Sequence, residues 1–311
     1  LARDGYLSCA SCHADGGHDG RTWDLTGRGE GLRNTIALRG RAGGQGRLHW
    51  SANFDEVHDF EGQIRTLAQG TGLMTDAQYA TGTRSQPLGD RKAGVSADLD
   101  ALAAYVASLT RFDASPLRNA DGTLSATAQA GRTVFTRSCA GCHGSEAFSD
   151  SATGRLHDIG TIRPASGTRL GAALTGLDTP TLRDVWATAP YLHDGSAATI
   201  EDAVRAHTSI SLTAGELEQV AAFVRAIGAQ EPAVTAGTGT GTGLRGSYYA
   251  NTTLSGTPVL SRVEAVDADW GTGSPGTGVP ADGFSVRWRT TTFFGSWSPR
   301  ISSSSLQPMK G

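Results

Sequence analysis

Two short motifs of the same pattern contain every cysteine of the chain: residues 9–13 read CASCH and residues 139–143 read CAGCH. In a C-x-x-C-H motif, the two thiols form thioethers to the vinyl groups of a haem, and the histidine binds its iron. The sequence therefore predicts two covalent c-type haems, which we call haem 1 and haem 2 in chain order. The residues concerned are Cys9, Cys12 and His13 for haem 1, and Cys139, Cys142 and His143 for haem 2.

A zinc site or a pair of redox dithiols is the alternative for such cysteines. A four-cysteine zinc site usually has its two pairs within a few tens of residues of each other. Here the pairs are far apart in the sequence, and a histidine follows each one. The spacing favours haem attachment over both alternatives.

Composition limits the class of protein. The chain has 311 residues, enough for two or three domains. Its net charge of −3 does not indicate binding to nucleic acid or to an anionic membrane surface. No segment approaches the ~18–20 apolar residues of a membrane span. With 42 glycines and only 2 methionines, we expect many loops and an apolar core to which the haems contribute.

The chain begins at Leu1 with no signal peptide ahead of the first motif. We interpret it as a mature or truncated protein. Because bacterial haem attachment of this kind takes place outside the cytoplasm, the expected location is periplasmic, secreted or at the cell surface.

Two similar helices follow the motifs. Residues 98–109 and 216–227 both read acidic, Leu, acidic, followed by apolar residues at one helical phase. Thr213 and Glu216 have the spacing of a capping box. A third predicted helix, residues 125–137, leads into the second motif, whereas only eight residues precede Cys9. We therefore expect two cytochrome c units, the first without its opening helix.

The predicted fold is mainly α, with two cytochrome c-type haem domains in tandem at 1–112 and 123–229. A Gly/Thr-rich flexible linker at 230–243 separates them from a partial β segment at 244–311. That segment has strand-like runs at 246–249, 258–260 and 284–288, and its tail around Ser302 to Ser305 is expected to be disordered. It is shorter than the ~100 residues of a β-sandwich.

Residues 1–229 resemble the bacterial diheme cytochrome c peroxidase family, which includes the methylamine-utilisation diheme enzymes. Besides the haem motifs, the resemblance rests on RNT, Trp50, HDIG, TPTLR and APYLHDGS, at 33–35, 50, 157–160, 179–183 and 189–196. Residues 244–288 resemble the start of the anthrax-protective-antigen-type module, a β-sandwich often linked to carbohydrate binding. That module is incomplete here, so we do not predict a sugar site.

The resemblance implies roles for several residues. Trp50, 16 residues after Asn34, matches the tryptophan that carries electrons between the two haems; a packed core tryptophan is the alternative. A calcium ion between the domains would be bound by the Asn34 side chain and by the carbonyls of Thr188 and Pro190. Oxygen ligands of this kind suit calcium.

The resemblance also places the sixth ligand of haem 2 at His207, which would give a low-spin bis-histidine iron. The alternatives are a surface histidine at position 207, or ligation by His193. We expect His193 to bond a haem propionate or the backbone instead.

In the family, peroxide reacts at the first haem, where a glutamate precedes a methionine. Here Leu73 precedes Met74, and leucine cannot move a proton. His49, beside Trp50, is the predicted distal ligand or base, with His58 and Met74 as alternatives. His18 and His157 are expected to make loop hydrogen bonds.

These features predict a secreted diheme c-type cytochrome that transfers single electrons with small redox proteins or other donors. An open site on haem 1 would add peroxidase-like activity. Two rival functions are a true hydrogen peroxide reductase and a haem-bearing binding or structural module of the cell surface.

The two intact motifs predict two c-type haems per chain. A pyridine haemochrome assay on denatured protein should give this stoichiometry. One haem per chain, or haem that acidified organic solvent extracts, would contradict the prediction.

Overall fold

The computed structural model describes residues 2–40, 46–234, 244–264, 270 and 272–289. The chain divides into two compact units, 1–237 and 238–311, and both haem motifs lie in the first. The division falls inside the segment predicted as a linker, of which residues 235–243 are outside the described ranges. The outer limits predicted for the two cytochrome domains stay predictions.

The longest helices are those that the sequence predicted. The helices 98–109, 125–137 and 216–227 are confirmed to within two residues at each end, as α4, α5 and α8. The helices are α1 (Cys9–Cys12), α2 (Phe60–Thr66), α3 (Asp76–Ala80), α4 (Ala97–Ser108), α5 (Ala126–Ser138), α6 (Ala140–His143), α7 (Ile200–Arg205) and α8 (Ala214–Arg225). Short hairpins are formed by β1 (Thr22–Asp24) with β2 (Leu32–Asn34), and by β3 (Thr168–Arg169) with β4 (Ala172–Ala173).

Each long helix begins at a hydroxyl side chain. Ser96, Ser125 and Thr213 accept hydrogen bonds from backbone N–H groups in the first turns of α4, α5 and α8. The capping box of Thr213 and Glu216 is confirmed. The backbone N–H of Thr213, together with Arg137, lowers the pKa of Glu216 to about 2. Local signals therefore determine where these helices start.

The prediction of a mainly α fold is wrong, since helix covers only 31% of the chain. Long irregular segments connect the helices, and glycines with positive φ close many of their turns. The prediction of two domains in tandem is also wrong, because residues 1–112 and 123–229, which we call the first and second halves, lie in one compact unit and their loops pack against each other. A Cβ on Gly31 would lie 2.4 Å from the Ala165 carbonyl oxygen, and one on Gly167 would lie 2.5 Å from the Glu30 carbonyl carbon. Backbone packs directly on backbone there.

The main apolar core surrounds α5 and α8. Phe135 of α5, Phe223 of α8 and Phe148 are fully buried, and the ring centroid of Phe135 lies 5.0 Å from that of Phe223 and 6.1 Å from that of Phe148. The helices approach closely at Gly131, where a Cβ would lie 1.8 Å from the Gln219 carbonyl oxygen. This contact requires glycine.

The second unit contains a three-stranded antiparallel sheet in the order β6-β5-β7, with β5 at Leu244–Tyr249, β6 at Leu260–Glu264 and β7 at Ser285–Arg289. Tyr248 is fully buried and packs against Trp270 and Phe284. The sandwich-module identity of this unit stays a prediction, and the tail around Ser302 to Ser305 lies outside the described residues.

In the described part of the chain, no helix has the length and apolar character needed to cross a membrane.

The α5–α8 contact yields a stability prediction. Gly131→Ala should destabilise the protein by about 1–3 kcal/mol, because the added methyl group overlaps the Gln219 carbonyl. Gly215→Ala is the matched control: this glycine lies in α8 with open space around it, so alanine should stabilise by about 0.5–1 kcal/mol. Thermal denaturation measures both. Equal effects of the two substitutions would contradict the described packing.

Candidate haem and electron-transfer site

The two motif histidines are held in the same way. Each motif forms a short helix, and each histidine directs Nδ1 at a nearby backbone carbonyl. The distance is 3.2 Å from His13 to the Gly17 oxygen and 2.9 Å from His143 to the Phe148 oxygen. Iron-binding histidines usually donate their second ring N–H to such an acceptor, so that Nε2 binds the metal. Both residues therefore fit the role of proximal haem ligand.

His207 shows the same arrangement just beyond α7. Its Nδ1 lies 2.9 Å from the carbonyl oxygen of Ala203, which leaves Nε2 for a metal. Burial lowers the pKa of His207, and burial is also the main reason that the pKa of His143 falls to about 4, with His207 lowering it further. The structure thus brings together two histidines that are neutral at pH 7, the form that binds iron.

His193 occupies a different position. Its ring is fully buried beside Trp50, with ring centroids 6.5 Å apart, and its Nε2 lies 2.9 Å from the Ser166 hydroxyl. Its Nδ1 has no hydrogen-bond partner among the described residues. This buried nitrogen fits the prediction of a bond to a haem propionate, while the His193 carbonyl accepts a 2.7 Å bond from the Asn34 N–H.

Burial changes the ionisation of the cysteines of the second motif. It raises the pKa of Cys139 to about 12 and also raises that of Cys142. The zinc and dithiol alternatives stay less favoured on the spacing of the two motifs alone.

One group of side chains that includes Cys142 of the second motif has the residue types of a metal site. Ligand atoms of Cys142, Asp150 and His157 lie within 4.8 Å of one another. His157 Nε2 is bonded to Asp150 at 2.8 Å, the loop hydrogen bond expected for this histidine. Because a thioether would remove Cys142 as a thiolate, this group and a covalent haem exclude each other.

Trp50 lies where the two halves of the first unit meet. Its side chain is 9% exposed and packs against Leu174 and Leu177 from the second half. The indole N–H donates a 2.9 Å hydrogen bond to the Asn34 carbonyl in β2. The predicted relay residue therefore contacts elements of both halves.

The loop that carries Trp50 is fixed by the second half. Arg169 donates hydrogen bonds to the carbonyls of Ser51 at 2.7 Å and Ala52 at 3.1 Å. His49 and Ala52 have φ of 67° and 49°, a left-handed conformation that is costly for residues other than glycine. Contacts from Arg169 support this conformation.

His49 is oriented by a short chain of polar groups. Its Nδ1 lies 2.6 Å from Asn53 Oδ1, and Asn53 Nδ2 donates a 2.6 Å bond to Glu30. The rings of Phe54 and Phe60 flank it at centroid distances of 4.3 and 5.1 Å. Sequence reasoning missed Asn53 and Glu30. The only sequence feature that could have suggested the contact of His49 with Asn53 is their spacing of four residues.

The other distal candidates have structural roles. His58 is buried and bonded to Asp100 at 2.9 Å. Met74 is buried next to the carboxylate of Glu61, a residue that the sequence did not suggest. Glu61 accepts bonds from the N–H groups of Leu73 at 2.8 Å and Met74 at 3.1 Å. Its oxygens are thus engaged in holding the loop.

Two of the three predicted calcium ligands meet. The Asn34 amide lies 2.5 Å from the Pro190 carbonyl oxygen, and its Oδ1 is buried without a partner among the described residues. Thr188 lies on the same loop, where its hydroxyl bonds the Val185 carbonyl at 3.3 Å.

Known proteins are similar to parts of this chain. The RoxA-like, cytochrome c-like family matches residues 176–210, a segment that includes His193 and His207. The hydrazine synthase subunit gamma of Kuenenia stuttgartiensis is 29% identical over 243 residues, which cover 64% of each protein. The methylamine utilization protein MauG of Methylophilus methylotrophus is 26% identical over 234 residues, covering 67% of this chain and 68% of MauG.

A solved structure of a MauG-like protein associated with microbial copper homeostasis has the same fold. Its TM-score is 0.53 at 21% identity, over 73% of this chain and 84% of that one. The resemblance to methylamine-utilisation proteins is thus confirmed at modest identity, and it supports a protein of the haem c class.

The position of His207 yields a spectroscopic prediction. His207→Gly should convert one low-spin haem signal to high spin and spare the other, because Nε2 of His207 would be the ligand lost. Paramagnetic resonance of the oxidised protein measures this. His193→Gly is the comparison; if it produces the change and His207→Gly does not, the ligand assignment is wrong.

Proposed function

We propose that this chain is an exported diheme c-type cytochrome that transfers single electrons between its haems and an external redox partner. The observation that carries the proposal is the pairing of His143 with His207, together with an indole buried between the two halves. Haem, when bound, supplies the one-electron redox chemistry. Cys9, Cys12, Cys139 and Cys142 would attach it, and His13, His143 and His207 would provide nitrogen ligands.

Haem 2 is proposed as the electron-exchange centre. His143 and His207 are both neutral, and both have Nδ1 bonded to backbone, so each presents Nε2 in a fixed orientation. With His143 and His207 both bound to its iron, haem 2 would have no open position for substrate, which would suit electron transfer.

Trp50 is proposed as the relay between the haems. It is buried, it contacts the second half through Leu174 and Leu177, and its N–H is bonded to Asn34. His193 packs against it with a T-shaped geometry. A buried aromatic side chain that contacts both halves supports the proposed relay role.

A peroxidase-like activity at haem 1 is the second candidate, and the observation that favours it is the His49–Asn53–Glu30 chain. Cleavage of an O–O bond needs a group that moves a proton, and Leu73 cannot do so. His49 is oriented by Asn53 in the way that catalytic histidines are usually oriented by a polar partner. It would replace the missing carboxylate as acid and base.

We also propose a calcium ion held by the Asn34 side chain and the carbonyls of Thr188 and Pro190. Support comes from Asn34 Oδ1, which is buried without a partner among the described residues, on a side chain whose Nδ2 donates to the Pro190 carbonyl. Metal analysis of purified protein before and after chelator treatment tests this, and absence of calcium from untreated protein would overturn it.

The proposed location is outside the cytoplasm, where haem is attached to such motifs in bacteria, and the proposed partners are small redox proteins. The β unit favours a rival interpretation as a surface-bound binding module. Fractionation of producing cells, followed by haem staining, distinguishes an exported cytochrome from a cytoplasmic protein.

The rate of peroxide reduction distinguishes the proposed electron-carrier function from a peroxidase function. We expect weak turnover in the wild type, a gain in Leu73→Glu, and a loss in His49→Ala, since general acid–base help is worth ~10²–10⁴-fold. Steady-state peroxide reduction with a reduced donor measures all three. Rapid wild-type turnover that survives His49→Ala would refute the preference for an electron carrier, whereas no turnover and no carbon monoxide binding would indicate two six-coordinate haems.

A further inference from the structure

A cavity of about 210 Å³ lies beside α2, and no part of the proposed function uses it. Its walls come from α2 and the residues just before it, from α3, and from the segment between α3 and α4. No residue of either haem motif is among the described residues that line it. Since a protein cavity of about 150 Å³ holds benzene, this space is large enough for a small arene with one polar substituent.

The surface of this cavity is mostly apolar. Phe54 is buried, Tyr79 is half-buried and Pro87 is exposed, and all three contribute to the lining. The Tyr79 ring is held by Arg65, whose guanidinium carbon lies 4.6 Å from the ring centroid, and its hydroxyl donates a 3.3 Å bond to the Ser85 carbonyl. Fixed rings of this kind suit the apolar part of a small ligand.

The segment that closes one side of the cavity is fixed at both ends. The Thr83 N–H donates to the Asp90 carboxylate at 2.9 Å, and the Asp90 N–H donates to the Thr83 hydroxyl at 2.7 Å. Between them, the Gln86 carbonyl accepts a 3.3 Å bond from the Lys92 ammonium. The cavity is therefore formed in the absence of a ligand, so binding would require little ordering of the chain.

One positive charge in the lining is not neutralised. Lys92 is buried, and its ammonium is paired with the Asp59 carboxylate, so these two charges cancel. Arg84 makes no ion pair within the part of the chain that the structure describes. Its Nη1 donates a long, 3.4 Å bond to the Gln78 carbonyl, and its Nε is buried without a partner. A buried N–H in this state is costly, and an acceptor in the cavity would remove that cost.

The cavity also adjoins the candidate distal histidine. Two residues of its lining contact His49: the Phe54 ring, at a centroid distance of 4.3 Å, and the Gln63 amide, whose Nε2 lies 3.3 Å from Nε2 of His49. A molecule in the cavity would therefore be one side chain away from His49.

We propose that this cavity binds a small monocarboxylate with an aromatic or short apolar body. The Arg84 guanidinium has N–H groups in the planar arrangement that matches the two oxygens of a carboxylate, and it would bond them. The apolar body would pack on Phe54 and Tyr79. A neutral analogue would leave the Arg84 charge unpaired, so the site should discriminate against it. This inference goes beyond the proposed function, because the binding requires neither haem.

Calorimetric titration of the holoprotein with benzoate tests the proposal, and benzamide is the neutral ligand of the same shape. Molecules of this size bind proteins with dissociation constants from about 10 mM downward. We expect one-site binding of benzoate at least about tenfold tighter than that of benzamide, the factor that hydrogen bonds to a charged group provide. Benzoate binding no tighter than that of benzamide, or no saturation up to about 10 mM, would overturn the proposal.

Arg84→Gln tests whether the binding takes place in this cavity. Glutamine keeps a polar side chain and removes the charge, so benzoate should bind about tenfold more weakly and lose its advantage over benzamide. Arg91→Gln is the matched control, because Arg91 is an exposed arginine of the same segment that does not line the cavity. It should bind benzoate as the wild type does.

A third variant serves if Arg84→Gln does not fold, as judged by its melting temperature. Ser85→Trp keeps Arg84 and places a large ring at the exposed side of the cavity, so it should also weaken benzoate binding. Wild-type affinity in a folded Arg84→Gln or Ser85→Trp protein, or an equal loss in Arg91→Gln, would show that the ligand does not bind at Arg84.

Discussion

The burial of Trp50 between the two halves of the first unit is the contact on which the rest of the structure depends. An indole that packs on Leu174 and Leu177 and bonds the Asn34 carbonyl must have both halves in place. Backbone then packs on backbone where Gly31 meets Gly167, too closely for any larger residue. The two haem-bearing segments are therefore one compact unit with a shared interior.

The high loop content follows from this interface. In a regular helix, the backbone carbonyl and N–H groups bond to each other within the helix. Here the backbone groups of the loops are available for hydrogen bonds between the two halves. Arg169, Asp178 and Asn34 use these groups to tie one half to the other. Covalent haems suit such a fold, because a large apolar group attached at two points would supply the core that short helices cannot.

Local patterns predicted local structure well. The capping residues and apolar stripes of α4, α5 and α8 determine their ends, and the C-x-x-C-H spacing selected two histidines, His13 and His143, whose Nδ1 atoms lie against backbone carbonyls. The position of His207 came from a motif and agrees with its placement near His143. The His49–Asn53–Glu30 chain could not be predicted, since the bond between Asn53 and Glu30 joins irregular segments 23 residues apart in the sequence. The low helix content was missed for the same reason: helical stripes indicate where helices are, and they carry no information on the irregular segments between them.

The Arg169 contact has a consequence for biogenesis. The strained loop with His49 and Trp50 is held by a guanidinium more than a hundred residues further along the chain. Contacts between such distant residues form late in folding, after the entropy of closing a long loop has been overcome. Under the proposed function, in which the chain is exported and haem 1 is attached at Cys9 and Cys12, the first motif would be modified before the residues that surround it are in place. Haem 1 would then spend the interval in an open, water-exposed state, and its final environment would be assembled by the arrival of the second half.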